Sequence, residues 1–163
     1  MENRVPEETK QGREEYMTKI FSASDLHKCC ELYIRVFNGS PWYDKWTNDT
    51  AYARLREMVE NKRFFGYTLW NNNVLIGAVF AHMKNHYRGE EIFIDELFIS
   101  PDCQRKGYGM TLMDAVEKYA KENNFVCVTL LTGVNKPPFA FYEKRGYKHF
   151  DHLAFMHKRM VQA

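Results

Sequence analysis

No part of this 163-residue chain approaches the roughly 20 consecutive apolar residues that a membrane-crossing helix requires. A dominant charge is missing too. The 23 Lys and Arg residues nearly cancel the 21 Asp and Glu, leaving a net charge of +2 spread along the sequence. Such a balance gives no long-range field for gathering nucleic acid or an anionic membrane. Cysteine is sparse: Cys29, Cys30, Cys103 and Cys127 form no C-x-x-C pair, and the adjacent 29–30 pair suits neither a bridge nor a zinc knuckle. Reduced thiols in a cytoplasmic protein are the plain reading. The polar, mixed-charge opening from Met1 to Glu15 lacks the features of a signal peptide. Internal repeats, low-complexity tracts and an interdomain linker are also absent. The expectation is one domain over residues 1–163, with residues 1–19 as a mobile or loosely docked leader.

What is present suits a packed α/β core, since 45% of the residues are hydrophobic and 15% aromatic. Ser24 and Asp25 can cap a helix whose apolar positions Leu26, Cys29, Cys30, Tyr33 and Phe37 recur at helical spacing. Asn38-Gly39-Ser40-Pro41 breaks it, and a second helix is expected over 50–61. The pattern then alternates. Strands are expected over 64–70 and 74–81, joined by Asn71-Asn72-Asn73, since asparagine tolerates positive φ. Another strand follows over 91–99, then a helix from Gly109 to Asn123, a buried strand over 126–131, a short helix over 139–145 and a last strand over 147–158. Hairpin strands followed by a β-α-β unit predict a mixed sheet flanked by helices.

The turn Gln104-Arg105-Lys106-Gly107-Tyr108-Gly109 joins a strand to a helix. Its two glycines let the backbone turn sharply and approach a ligand closely. Amides from Lys106 to Met110 at a helix N-terminus favour an anion, and Arg105 and Lys106 add formal charge. A phosphate or pyrophosphate fits; an ordinary strand-to-helix turn is the bland alternative. No G-x-x-x-x-G-K-[ST] occurs, and Leu112 stands where a G-x-G-x-x-G loop needs its third glycine.

Three segments in combination resemble the GNAT acetyltransferase superfamily. They are Glu96-Leu97-Phe98-Ile99-Ser100-Pro101, then Gln104-x-x-Gly107-x-Gly109, then Asn135 followed by Phe141-Tyr142-Glu143-Lys144-x-Gly146-Tyr147. The resemblance covers about residues 64–150. It implies a central, mostly antiparallel mixed sheet with a splayed parallel strand pair. It also implies that acetyl-CoA is the cofactor, without a metal. Backbone of Leu97, Phe98 and Ile99 would then run along the pantetheine arm, and Gln104, Arg105, Lys106, Gly107, Tyr108, Gly109 and Met110 would hold the pyrophosphate. Asn135 would bond the pantetheine arm, and Tyr142 would protonate the departing thiolate. Pro137-Pro138 departs from the alanine usual in this stretch. Proline is acceptable in a first helical turn, so the departure bears on Asn135 more than on Tyr142.

An alkylamine attacks a thioester only when neutral, so a base must take its proton. Asp95 and Glu96 stand on the strand before the turn, on opposite faces by simple alternation. The family pattern favours Glu96 as the base, against the alternative of strand-end carboxylates paired with lysines. Tyr142 has a bland alternative as well, as a core aromatic. Trp42, Tyr43 and Trp46 crowd the first inter-helix loop, either as walls of an acceptor pocket, with Asp44, Asp95 and Glu96 suiting a cationic amine, or as core. His82-x-x-x-His86 and His149-x-x-His152 have metal-like spacings without a third ligand; His82 stays a minor candidate for proton relay. Cys103 has no assigned base.

The expected function is therefore acetyl transfer to a primary amine of a small molecule, aminoglycoside- or polyamine-like, by direct attack in a ternary complex. Protein N-termini or lysines, and an acyl-CoA sensor without turnover, are the alternatives. A homodimer is compatible with the resemblance, and neither nucleic acid nor membrane is expected as a partner.

Overall fold

The computed structural model of the protein describes residues 16–161. In chain order the elements are β1 (Tyr16–Ile20), α1 (Leu26–Phe37), α2 (Asn48–Val59), β2 (Phe64–Asn71), β3 (Val74–His86), β4 (Gly89–Ile99), α3 (Tyr108–Glu122), β5 (Cys127–Leu130) and α4 (Pro137–Lys144). They fall into two compact units, one ending at Leu131 and one beginning at Thr132.

In the first unit the five strands form one sheet in the order β1-β2-β3-β4-β5. Strands β1 to β4 pair antiparallel, and β4 pairs with β5 in parallel. The parallel pair requires a crossover, which α3 supplies. One face of the sheet is covered by α1 and α2: Ala78, Phe80 and Phe98 are buried among Leu26, Cys29, Tyr33, Leu55 and Met58. The other face carries α3, with Phe65 stacked on Tyr119 at 4.9 Å between ring centroids.

Local sequence explains most boundaries. Thr47 caps α2 through a reciprocal bond pair with Thr50, so the helix begins two residues before the expected Thr50. Asp25 is the N-cap residue of α1 but makes no side-chain cap bond, because the 3-10 turn over Ala23–Asp25 leads straight into the helix. Asn72 and Asn73 take positive φ in the β2–β3 turn, as their residue type allows. Two expectations are corrected. Tyr16–Lys19, placed in the leader, belong to β1, while residues 1–15 lie outside the described residues. The strand expected over 147–158 is not formed; among the described residues that stretch is irregular and largely exposed.

Candidate active site

The site is organised by an irregularity in β4. Phe80 of β3 pairs with Glu96, but the next residue, Ala81, pairs with Ile94, so Asp95 is an extra residue on the β4 side. Such a bulge breaks simple alternation and re-aims side chains. Along β3, Ala78, Phe80 and His82 share the face that packs on α1 and α2. Glu96 reaches α1 and α2 on that face, and Asp95 reaches His82. The expectation that the two carboxylates point to opposite faces is therefore corrected: the bulge gives both to one face.

The Glu96 carboxylate is held in place. Tyr33 of α1 donates its hydroxyl to Glu96 Oε1 at 3.1 Å, and Arg54 Nη2 of α2 donates to the same oxygen at 3.3 Å. The side chain is only 15% exposed. Burial pushes its carboxyl above the usual carboxylate range, opposed by the Arg54 charge and the two hydrogen bonds. A carboxylate whose proton affinity is raised in this way is a better proton acceptor than an exposed one. Burial likewise pushes the Tyr33 hydroxyl up, with Glu96 adding to it, so Tyr33 remains a donor. Asp95 Oδ2 lies 2.7 Å from His82 Nδ1. An ionised carboxylate only accepts, so Nδ1 carries the proton in this contact.

The aromatic loop is brought beside these groups in part. Trp46 packs edge-on against Tyr33, 5.2 Å between centroids, and donates its indole N–H to Asp44. It is half-buried against the core while standing one ring from the residue that holds Glu96. Trp42 packs on Phe37 of α1. Tyr43 is exposed, with positive φ. Tyr33 and Arg54 were missed at the sequence level. Tyr33 read as one more apolar position of α1, and nothing local marked Arg54.

The β4–β5 ladder ends at Ile94 and Leu130, whereas β4 runs on to Ile99 paired only with β3. From Asp95 to Ile99 the β5-facing edge of the backbone therefore has no strand partner among the described residues. Phe98 is buried in the core, and Ile99 lies against Gly77 and α3, so what this stretch offers a ligand is mainly backbone. At its end Gln104 Nε2 donates to the Ile99 carbonyl at 3.1 Å, which ties the turn to the strand and gives that side chain a structural task. Arg35 of α1 donates to Ser100 Oγ and lies 3.8 Å from Asp102, anchoring the turn from the helix side.

Within the turn, Arg105 and Gly107 take φ of 65° and 90°. Gly107 is the N-cap of the 15-residue α3 and has no side chain to cap it. A Cβ placed on Gly107 would meet no protein atom within 4 Å. Arg105, Lys106 and Met110 are exposed, and Tyr108 is buried, edge-on to Tyr16 at 4.5 Å. Open space beside a left-handed glycine, a helix N-terminus and two exposed cations form a donor set that suits a diphosphate. Among the described residues no three His, Cys, Asp or Glu side chains gather as metal ligands.

In the second unit, Asn135 lies in an exposed turn before α4, whose first two positions are Pro137 and Pro138. The helix thus begins two residues before the expected Phe139. Tyr142 is buried on α4, 5.6 Å from the Tyr147 ring. Gly146 follows α4 in the left-handed region, φ 87°, with its N–H bonded to the Glu143 carbonyl.

Comparison with known proteins gives this arrangement its class. The chain belongs to the acetyltransferase (GNAT) family, whose model matches residues 26–147. It is 25% identical over 145 residues to an uncharacterized N-acetyltransferase of Methanocaldococcus jannaschii. That match covers 82% of this chain and 61% of the relative, so the chain spans about three fifths of that protein's length. An uncharacterized N-acetyltransferase of Bacillus subtilis is 34% identical over 99 residues, 60% of this chain and 59% of that protein. Among solved structures, the aminoglycoside N-acetyltransferase AAC(6')-Iy, in complex with a CoA-containing bisubstrate analog, shares the fold with a TM-score of 0.70 at 16% identity. That similarity covers 89% of this chain and 99% of the other.

Proposed function

We propose that this chain is an acetyl-CoA-dependent N-acetyltransferase that acetylates a primary amine of a cationic small molecule, aminoglycoside- or polyamine-like, by direct attack in a ternary complex. The observation that carries the reading is the bulge in β4. It sets Asp95 and Glu96 on one face at the point where β4 parts from β5, with the Gly107 turn at the strand's end. Bound acetyl-CoA would supply an activated acetyl thioester. Backbone groups of Leu97, Phe98 and Ile99 would hold its pantetheine arm, joined by Asn135. The amides from Gln104 to Met110, with Arg105 and Lys106, would hold its diphosphate.

Glu96 takes the proton that the ammonium must lose, directly or through water, and its raised proton affinity suits that work. Asp95 attracts a cationic acceptor, and Trp42, Tyr43 and Trp46 wall its approach. Tyr142 delivers a proton to the departing thiolate. In this proposal the enzyme works in the cytoplasm, without nucleic acid or membrane as a partner, and the present chain serves as one acetyltransferase domain that is free to dimerise.

The test is thiol release from acetyl-CoA with spermidine, kanamycin, a lysine-containing peptide or a peptide with a free N-terminus. Turnover of spermidine or kanamycin, reduced about 10²-fold or more by Glu96→Gln or Tyr142→Phe, supports the proposal. Turnover of the peptides alone would reassign it to protein acetylation. Calorimetric binding of acetyl-CoA without turnover of any amine would leave an acyl-CoA sensor.

A further inference from the structure

Glu96 is a good first proton acceptor but a poor final one. It is mostly buried, and its Oε1 already receives hydrogen bonds from Tyr33 and Arg54. Neither of those donors can carry the proton onward, because Arg54 is permanently charged and Tyr33 keeps its own proton. A turnover that releases one proton per acetyl group needs a second group that can gain and lose a proton near neutral pH.

The bulge brings an imidazole into contact with the residue next to Glu96. Asp95, the residue next to Glu96, sits 2.7 Å from His82 Nδ1, and both side chains are partly open to solvent, 18% and 23% exposed. The Asp95 contact fixes the imidazole with Nδ1 protonated, which leaves Nε2 as the basic nitrogen. Phe93, directly opposite His82 in the ladder, packs against the ring at 5.5 Å between centroids and limits its rotation. The basic side chains named on the neighbouring strands and on α2 each have an acidic partner. Lys84 of β3 is paired with Glu91, Arg54 of α2 with Glu96, and Arg63, just before β2, with Glu90.

We infer that the His82–Asp95 pair on the acceptor face is a proton relay, with His82 Nε2 taking the proton from protonated Glu96 through water and passing it to solvent, and Asp95 positioning the ring. The inference rests on the acetyl-transfer reading above. In the balance, the ammonium nitrogen loses two protons as its N–C bond to the acetyl group forms and the C–S bond breaks. The first passes through Glu96 and His82 Nε2 to water. The second, lost as the tetrahedral adduct collapses, replaces the one that Tyr142 gives to the departing thiolate; nothing is oxidised or reduced.

The experiment combines turnover and spectroscopy on the full chain, with acetyl-CoA and either spermidine or kanamycin as the probe amine. His82→Gln is expected to lower kcat about 10- to 100-fold with unchanged affinity for acetyl-CoA. The pH–rate profile should lose one ionisation, and added imidazole should restore much of the rate. Asp95→Asn is the second variant, should His82→Gln fail to fold, and is expected to lower kcat with the same imidazole rescue. Independently of turnover, the imidazole 15N shifts of the wild type should report Nδ1 as the protonated nitrogen of the His82 imidazole, a preference lost in Asp95→Asn. Wild-type kcat and an unaltered pH profile in His82→Gln, or a wild-type His82 whose tautomer carries its proton on Nε2 with Nδ1 bare, would overturn the relay. A wild type that binds acetyl-CoA yet acetylates neither amine would instead overturn the acetyl-transfer reading, and the relay with it.

Discussion

Two left-handed glycines offer a controlled test of the cofactor turn. Gly107 and Gly146 have nearly the same φ, 90° and 87°, and at each a Cβ would meet no protein atom within 4 Å. Replacing either with alanine introduces no internal collision. The folded-state cost is only that of holding an L-residue with positive φ, about 1–2 kcal/mol. At this chain length that corresponds to a fall in melting temperature of about 2–8 °C, and it should be similar at the two sites. Binding should separate them. Gly107 caps α3, where the proposed function puts the diphosphate, and the added methyl would enter the space proposed for that ligand. Gly146 closes the end of α4, and no part of the cofactor is assigned to it. Titration calorimetry should therefore show acetyl-CoA bound at least about tenfold more weakly by Gly107→Ala, a loss of about 1.4 kcal/mol. Gly146→Ala should keep wild-type affinity. Equal losses in both variants would mean that general strain had been mistaken for a binding contact. No loss in either would remove the turn from the site.

Arg54 and the hydrogen bonds hold down a Glu96 carboxyl that burial pushes up, so Arg54→Met should raise it further. As the proposed base, Glu96 would work only when deprotonated, so the acid limb of the pH–rate profile should move to higher pH; a limb that moved lower would contradict the proposal. The same sign holds for stability. A carboxyl with a raised folded-state pKa is penalised when charged, so its contribution falls as pH rises from the ordinary carboxylate range through the raised value. Chemical denaturation at several pH values should show a steeper fall in Arg54→Met. Phe80 is fully buried, with the rings of Phe21 and Phe64 5.0 and 5.3 Å away. Phe80→Ala should cost about 3–5 kcal/mol, seen as a lower denaturation midpoint, and a change below about 1 kcal/mol would refute this placement of the core.

The sequence made the repeating elements legible because their periods survive folding. The helical spacing of Leu26, Cys29, Cys30 and Tyr33, the paired strands around the asparagine turn and the glycine turn after Ile99 all stand close to where the pattern put them. What escaped notice depended on partners far along the chain. Tyr33 looked like core because its ring is buried, and only the distant Glu96 reveals what its hydroxyl does. Arg54 stood among ordinary charges of a helix surface. Strand β1 was missed because most of its residues are exposed, so its pairing with β2 leaves no apolar alternation to read. The opposite error occurred over 147–158, where Phe150, Leu153 and Phe155 suggest a strand but, among the described residues, no ladder forms.

The irregularity in β4 has left a trace in the letters of the chain. Before it, even-numbered residues, Ile92 and Ile94, face α3, as shown by the pairing of Ile94 with Ala81, itself opposite Phe65. After it, odd-numbered Leu97 and Ile99 face that way, paired with Val79 and Gly77. The apolar rhythm of the strand slips by half a period across Asp95-Glu96, and the two acids occupy the slip. Deleting either one would restore an even rhythm without moving any other residue to the wrong face, at the loss of one carboxylate. One inserted letter is thus all that separates a plain hairpin from a strand with two acidic groups side by side. A skipped beat between two apolar runs, filled by acids, is a mark that can be sought in amino-acid letters alone.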